Sequence, residues 1–91
     1  MYFKTIKLTP AQISALECRE GGGLDSLTEA AWLDGGRCSL RFPVIAAEAL
    51  ADELNDSSNA EDAQYEQTGC VFAYRAAVSF GAVSGKVLRA V

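Results

Sequence analysis

The chain opens on an alternation of apolar and polar side chains. Phe3, Ile6 and Leu8 are set among Tyr2, Lys4, Thr5 and Lys7, which predicts a β-strand over Tyr2–Leu8. Lysines on its polar side suit an edge strand, because they discourage pairing with a foreign strand. The period then changes at Thr9-Pro10. Threonine can accept from the orphan N–H groups of a helix start, and proline fits the first helical position because it lacks the N–H anyway. Ile13, Leu16 and Cys18 supply a short apolar stripe, and Gly21-Gly22-Gly23 ends this helix. Ser26 to Glu29 offers a further short helix before two predicted antiparallel strands, Glu29–Leu33 and Arg37–Phe42, joined through Asp34-Gly35-Gly36. In the second of these, Cys38, Leu40 and Phe42 alternate with Arg37, Ser39 and Arg41. Trp32 is expected as a core anchor, the alternative being a platform for a ligand.

Helical spacing resumes at Pro43. Ile45, Ala46, Ala49, Leu50 and Leu54 recur as an apolar stripe. The polar run Asp56-Ser57-Ser58-Asn59 offers a break, with Asn59 capping a new helix. The progression Leu50, Leu54, Ser57/Ser58, Glu61, Tyr65 keeps its phase through that run, which predicts one helix from Val44 to about Gln67. Thr68-Gly69 is a turn, and Cys70–Arg89 reads as the last helix. Within it Ala77, Gly81 and Gly85 fall at four-residue intervals. Glycine in a helix costs about 0.8–1 kcal/mol relative to alanine, so the two glycines ask for a reason. Small side chains on one face let a neighbour approach closely, either within the chain or across a dimer seam. The predicted fold is α+β in the order β-α-β-β-α-α. A three-stranded antiparallel sheet packs against a C-terminal helical hairpin, in one domain over residues 1–91.

Composition agrees with a packed domain. Hydrophobic residues make up 49% and charged residues 22%, which excludes an intrinsically disordered chain. A chain of 91 residues supports one core but not a deep enclosed pocket. The net charge of −4 is spread unevenly. Between Arg41 and Arg75 there is no lysine or arginine, while Glu48, Asp52, Glu53, Asp56, Glu61, Asp62 and Glu66 all fall in that interval. A field of this sign disfavours direct contact with nucleic acid. The longest uncharged stretch of the apolar C-terminal segment, Ala76 to Gly85, is far short of the roughly 20 residues a membrane span needs. The N-terminus lacks the apolar run of a signal peptide. Three cysteines without close spacing, Cys18, Cys38 and Cys70, read as small buried hydrophobes in a reducing, cytoplasmic setting.

Candidate chemistry is sparse. The chain has no histidine, which removes Ser-His and Cys-His nucleophile pairs and the usual zinc ligand sets. Gly21-Gly22-Gly23 follows a predicted helix rather than a strand, and Gly85-Lys86 is followed by Val87, so neither is a phosphate loop. No cofactor, metal site or catalytic residue is expected. One feature carries functional content. On a continuous helix, Glu48, Asp52, Asn55, Asn59, Asp62 and Glu66 share one side, with Asp56 beside them. Like charges at i, i+4 cost about 0.2–0.5 kcal/mol per pair, and nothing basic on that helix offsets them. The stripe reads either as a solubilising face or as a surface for a basic partner.

The run Ala49-Leu50-Ala51-Asp52-Glu53-Leu54-Asn55-Asp56, continued by Asn59-Ala60-Glu61-Asp62, resembles short uncharacterised proteins of bacteriophages and mobile elements. Tyr74-Arg75-Ala76-Ala77 and Lys86-Val87 fit the same pattern, so the likeness spans roughly Ala46 to Val87. Small acidic phage proteins include anti-CRISPR inhibitors, which bind effector complexes and do not catalyse. The likeness to those is one of size and charge, and it implies no activity and no functional residue. The expected function is a non-enzymatic protein-binding factor, an inhibitor that docks Glu48, Asp52, Asp56, Asp62 and Glu66 on a basic, nucleic-acid-handling partner. The alternative is an assembly protein that homodimerises through Ala77, Gly81 and Gly85.

Overall fold

The computed structural model describes residues 2–17, 31–34 and 36–91. Its elements follow the expected order. They are strand β1 (Phe3–Lys7), helix α1 (Pro10–Glu17), strands β2 (Trp32–Asp34) and β3 (Ser39–Pro43), a 3-10 turn (Val44–Ala46), and helices α2 (Ala47–Thr68) and α3 (Val71–Arg89). The end of the first helix at Gly21-Gly22-Gly23, the short helix near Ser26 and the residues Cys18, Glu29 and Ala30 lie outside the described residues.

The sheet is antiparallel throughout, with strand order β1-β3-β2. Ile6 pairs with Leu40, which pairs with Leu33, and Lys4 pairs with Phe42. Period-2 geometry puts these residues on one face. There Ile6, Leu40 and Phe42 join Leu8, Ile13, Leu16, Leu50, Leu54, Phe80, Val83 and Val87 in one core. Phe42, Leu54, Val83 and Val87 are fully buried. Phe3 has the opposite parity. It faces outward and is exposed, although its apolar character had grouped it with Ile6 and Leu8.

The turn before β3 is tighter than expected. Cys38 has φ 48°, the left-handed region, so the strand begins at Ser39 and not at Arg37. Arg37 N–H donates to Asp34 Oδ1 at 3.2 Å, closing the turn from its own first residue. Cys38 packs partly buried against the core, and Cys70, at the start of α3, is also only partly buried. Neither is the fully buried hydrophobe anticipated.

Pro43 is the last residue of β3 and not the first of a helix. The 3-10 turn that follows shifts the phase of α2. Ile45 is 86% exposed and Ala49 is exposed, while Ala47, Leu50, Ala51 and Leu54 are buried. Through Asp56-Ser57-Ser58-Asn59 the helix is unbroken, as its phase predicted. Two hydroxyls explain how a polar run is kept in place. Ser57 donates to the Glu53 carbonyl at 3.1 Å, one turn back, and Ser58 donates across to the Ala77 carbonyl of α3 at 2.7 Å. Gly69 ends the helix with φ 69°, and its N–H donates to the Tyr65 carbonyl at 2.7 Å.

A polar knot joins the two ends of the chain. Thr9 N–H donates to Gln12 Oε1 at 2.9 Å, and Gln12 N–H donates to Thr9 Oγ1 at 3.2 Å. This is a reciprocal capping box, which satisfies two orphan donors at the start of α1. Gln12 Oε1 also accepts from Lys86 Nζ at 2.8 Å, and Lys86 donates further to the Lys7 carbonyl at 3.0 Å. The last turn of α3 is thereby tied to the end of β1. Lys86→Met keeps the aliphatic stem and removes these charge-assisted bonds, each worth about 1.5–3 kcal/mol when shielded and less at this partly exposed site. Thermal unfolding is expected to drop by roughly 5–10 °C. An unchanged Tm shows that the knot is not a structural tie.

Candidate functional site

Helix α2 is 22 residues long, and its burial divides around the helix axis. Ala47, Leu50, Ala51 and Leu54 are buried, and Ser58 and Glu61 on the same side are half-buried. Glu48, Asp52, Asn55, Asn59, Asp62 and Glu66 are all exposed, as is Asp56. At 3.6 residues per turn the stripe is centred about 100° around the axis from the buried side. The structure therefore brings the six predicted stripe residues together on one exposed side, over a rise of about 27 Å. No residue of α2 is basic.

Helix α3 turns its small residues inward. Ala77 is buried, and a Cβ built on Gly81 would lie 3.5 Å from Ser58 Oγ of α2. Ser84, also buried, donates to the Ala51 carbonyl at 3.1 Å. The Ser58 and Ser84 hydroxyls each reach a backbone carbonyl on the opposite helix, which requires the close approach these small residues permit. Of the two readings of this face, the structure displays the intramolecular one for Ala77 and Gly81. Gly85 differs, because the Arg89 guanidinium folds back over it, with Nη1 3.8 Å from where a Cβ would be.

Two other surfaces stand out. On α3, Val71, Tyr74 and Val78 share an exposed side, with Phe72 exposed next to them. The Tyr74 ring lies against Tyr65 of α2, with centroids 5.2 Å apart. The second surface is the outer face of the sheet, and it carries the clearest correction. Trp32 is 70% exposed and is no core anchor. It pairs with Arg41, and residues directly opposite in a sheet share a face, so the tryptophan takes the polar side of β3. Leu33, next in sequence, packs against the core instead. The signal was present in the alternation of Arg37, Ser39 and Arg41, but it required the register of β2. Phe3, Thr5, Trp32, Asp34, Ser39 and Arg41, with Arg37 from the turn, line an open concavity of about 640 Å³ on this side.

Among the described residues no three of His, Cys, Asp and Glu stand together so as to hold a metal ion. Among them, too, no helix is long and apolar enough to cross a membrane. What the geometry offers chemically is surface for binding: an acidic helix flank, a short apolar patch and an aromatic, basic sheet face.

Two outcomes check these placements. Gly81→Ala has room for its methyl and recovers helix propensity, so it is expected to stabilise by up to about 1 kcal/mol. Gly81→Leu overpacks the helix seam and is expected to cost about 1–3 kcal/mol in denaturant unfolding of the monomer. Equal stability of the two variants contradicts the close approach of α2 and α3. Trp32 is the one tryptophan in the chain. Its emission in the free protein is expected near that of solvated indole, with ready quenching by acrylamide. A blue-shifted, protected emission contradicts its exposure.

No protein-family model matches the chain, and no curated protein or solved structure matches it either.

Proposed function

We propose that this protein is a non-enzymatic binding factor that docks the acidic flank of α2 on a protein with a basic, nucleic-acid-handling surface. One observation supports the reading most. The stripe Glu48, Asp52, Asn55, Asn59, Asp62 and Glu66 runs exposed along a single unbroken helix, through a polar segment that could have ended it. A surface that only solubilised the fold would not need this continuity. Successive members are three or four residues apart, which sets them roughly 5–6 Å apart along the helix. A ladder of carboxylates and amides at that interval offers a basic groove a rigid substitute for a phosphate backbone. Charge of this kind speeds encounter and fixes register more than it adds raw affinity. In this reading the protein works inside the cell as an inhibitor, of the anti-CRISPR type or similar, by occupying the partner's nucleic-acid channel.

Asp52→Lys combined with Asp62→Lys tests the reading. Both positions are exposed, so the fold is expected to stand, with circular dichroism and Tm close to the parent. Affinity capture from the native host, at low and moderate salt, should recover a basic partner with the parent protein. It should recover none with the double variant. A partner retained by the variant removes the stripe from the interface.

A second reading, self-association through the last helix, now falls on a different face. The exposed side chains Val71, Phe72, Tyr74 and Val78 form the apolar patch on α3, whereas Ala77 and Gly81 are turned toward α2. Light scattering across a concentration series separates the readings. A dimer broken by Phe72→Ser with Val78→Ser supports self-association, and a monomer at every concentration rejects it.

A further inference from the structure

We propose that the outer face of the sheet is a docking surface for a single-stranded nucleic acid, which lies across β3 with its bases on Trp32 and on the Phe3–Arg41 pair. Strand register defines this face. Thr5 pairs with Arg41, which pairs with Trp32, and the next outward row is Lys7, Ser39 and Asp34. Phe3 stands one step along β1, opposite Pro43. The Arg41 guanidinium lies over the Phe3 ring, 4.5 Å from its centroid. Two flat π surfaces, an indole and an arginine-backed phenyl, therefore flank the central strand, and Trp32 is left 70% exposed.

Charge on this face is the reverse of the charge on the chain. Among the described residues, Lys7, Arg37 and Arg41 stand here against one carboxylate, Asp34, which lies 3.9 Å from Arg37. Seven of the twelve acids behind the net charge of −4 lie on α2, so averaging over the sequence conceals the local positive charge of these residues. That charge complements phosphate. The side chains complement bases: rings to stack on, and the exposed hydroxyl of Thr5 to meet polar edges. Among the described residues no leucine, isoleucine or valine lines the concavity, so these offer a protein partner no aliphatic pocket for its own anchors. Stacking requires unpaired bases, which selects a single strand over a duplex. From β1 to β2, across β3, the sheet spans two inter-strand spacings, about 10 Å, room for two bases, one on each ring. The surface touches bases and phosphates only, and it does not depend on the acidic stripe of α2.

The experiment uses Trp32 as reporter. The 91-residue chain is titrated with a ten-nucleotide oligothymidylate at low salt, and the emission of its one tryptophan is followed. Quenching is expected, with a matched duplex quenching far less. With a fluorescently labelled strand, anisotropy should show Trp32→Ala weakening binding by roughly fivefold to a hundredfold, the range for loss of one stacked base. Trp32→Phe should restore most of it. Arg41→Gln with Arg37→Gln should weaken it comparably, and circular dichroism keeps a folding defect distinguishable from a binding one. Three phosphate contacts give a log–log salt slope of roughly −2. Asp52→Lys with Asp62→Lys should not weaken this binding, so failure of the stripe and failure of the sheet face read out separately. The proposal is overturned by an absence of quenching and anisotropy change, or by affinity that Trp32→Ala leaves unchanged. It also falls if a polyglutamate peptide quenches Trp32 where the oligonucleotide does not, because the face then takes an acidic protein chain.

Discussion

The close approach of α2 and α3 is the constraint on which the other features rest. Ser58 reaches the Ala77 carbonyl and Ser84 reaches the Ala51 carbonyl, two bonds of opposite direction across one seam. Both need a backbone that no large side chain holds away, and Ala77 and Gly81 provide it. Once the helices are seated, Leu50, Leu54, Phe80, Val83 and Val87 close the core against the inner face of the sheet. The remaining side of α2 has nowhere to go but water, which is where the carboxylates stand. The glycine that costs helix propensity at position 81 thus helps set which side of the long helix faces solvent.

Much of this was legible in the sequence, and the losses have a common cause. Alternation identified β1 and β3, Thr9-Pro10 marked the start of α1, and phase carried α2 through its polar run. Gln12 completed a capping box that its neighbour Thr9 had signalled. The errors came where a local period met a register set elsewhere. Size and apolar character point Trp32 to the core, yet its partner Arg41 places it on the outer face. Phe3 shares the apolar character of Ile6 and Leu8 but stands at an odd spacing from Ile6, on the other face. Ile45 belonged to a helical pattern that a 3-10 turn rotated by part of a turn. Pattern along the chain locates elements; which side faces inward depends on contacts between them. The acidic stripe escaped this difficulty because one uninterrupted helix holds all six of its members.

Charge is segregated by the fold more sharply than by the chain. The acids line α2, while Lys7, Arg37 and Arg41 gather on the far side of the sheet from the core. A small domain with one acidic and one basic, aromatic face can address two ligands of opposite charge without either competing for the same surface. That arrangement suits a factor working beside nucleic acid and the proteins that hold it, and neither proposed role asks for catalysis.

The seam and the acidic stripe both depend on the continuity of α2, since a break at Asp56–Asn59 would divide the acidic flank and unseat Ser58. Amide hydrogen exchange resolved by residue measures this directly. Protection at Asn55–Asn59 comparable to that at Leu50–Leu54 is the result expected, with the Ser58 amide among the slower of the set. Exchange at Asn55–Asn59 as fast as at a frayed terminus would contradict the seam, the stripe and the function built on them.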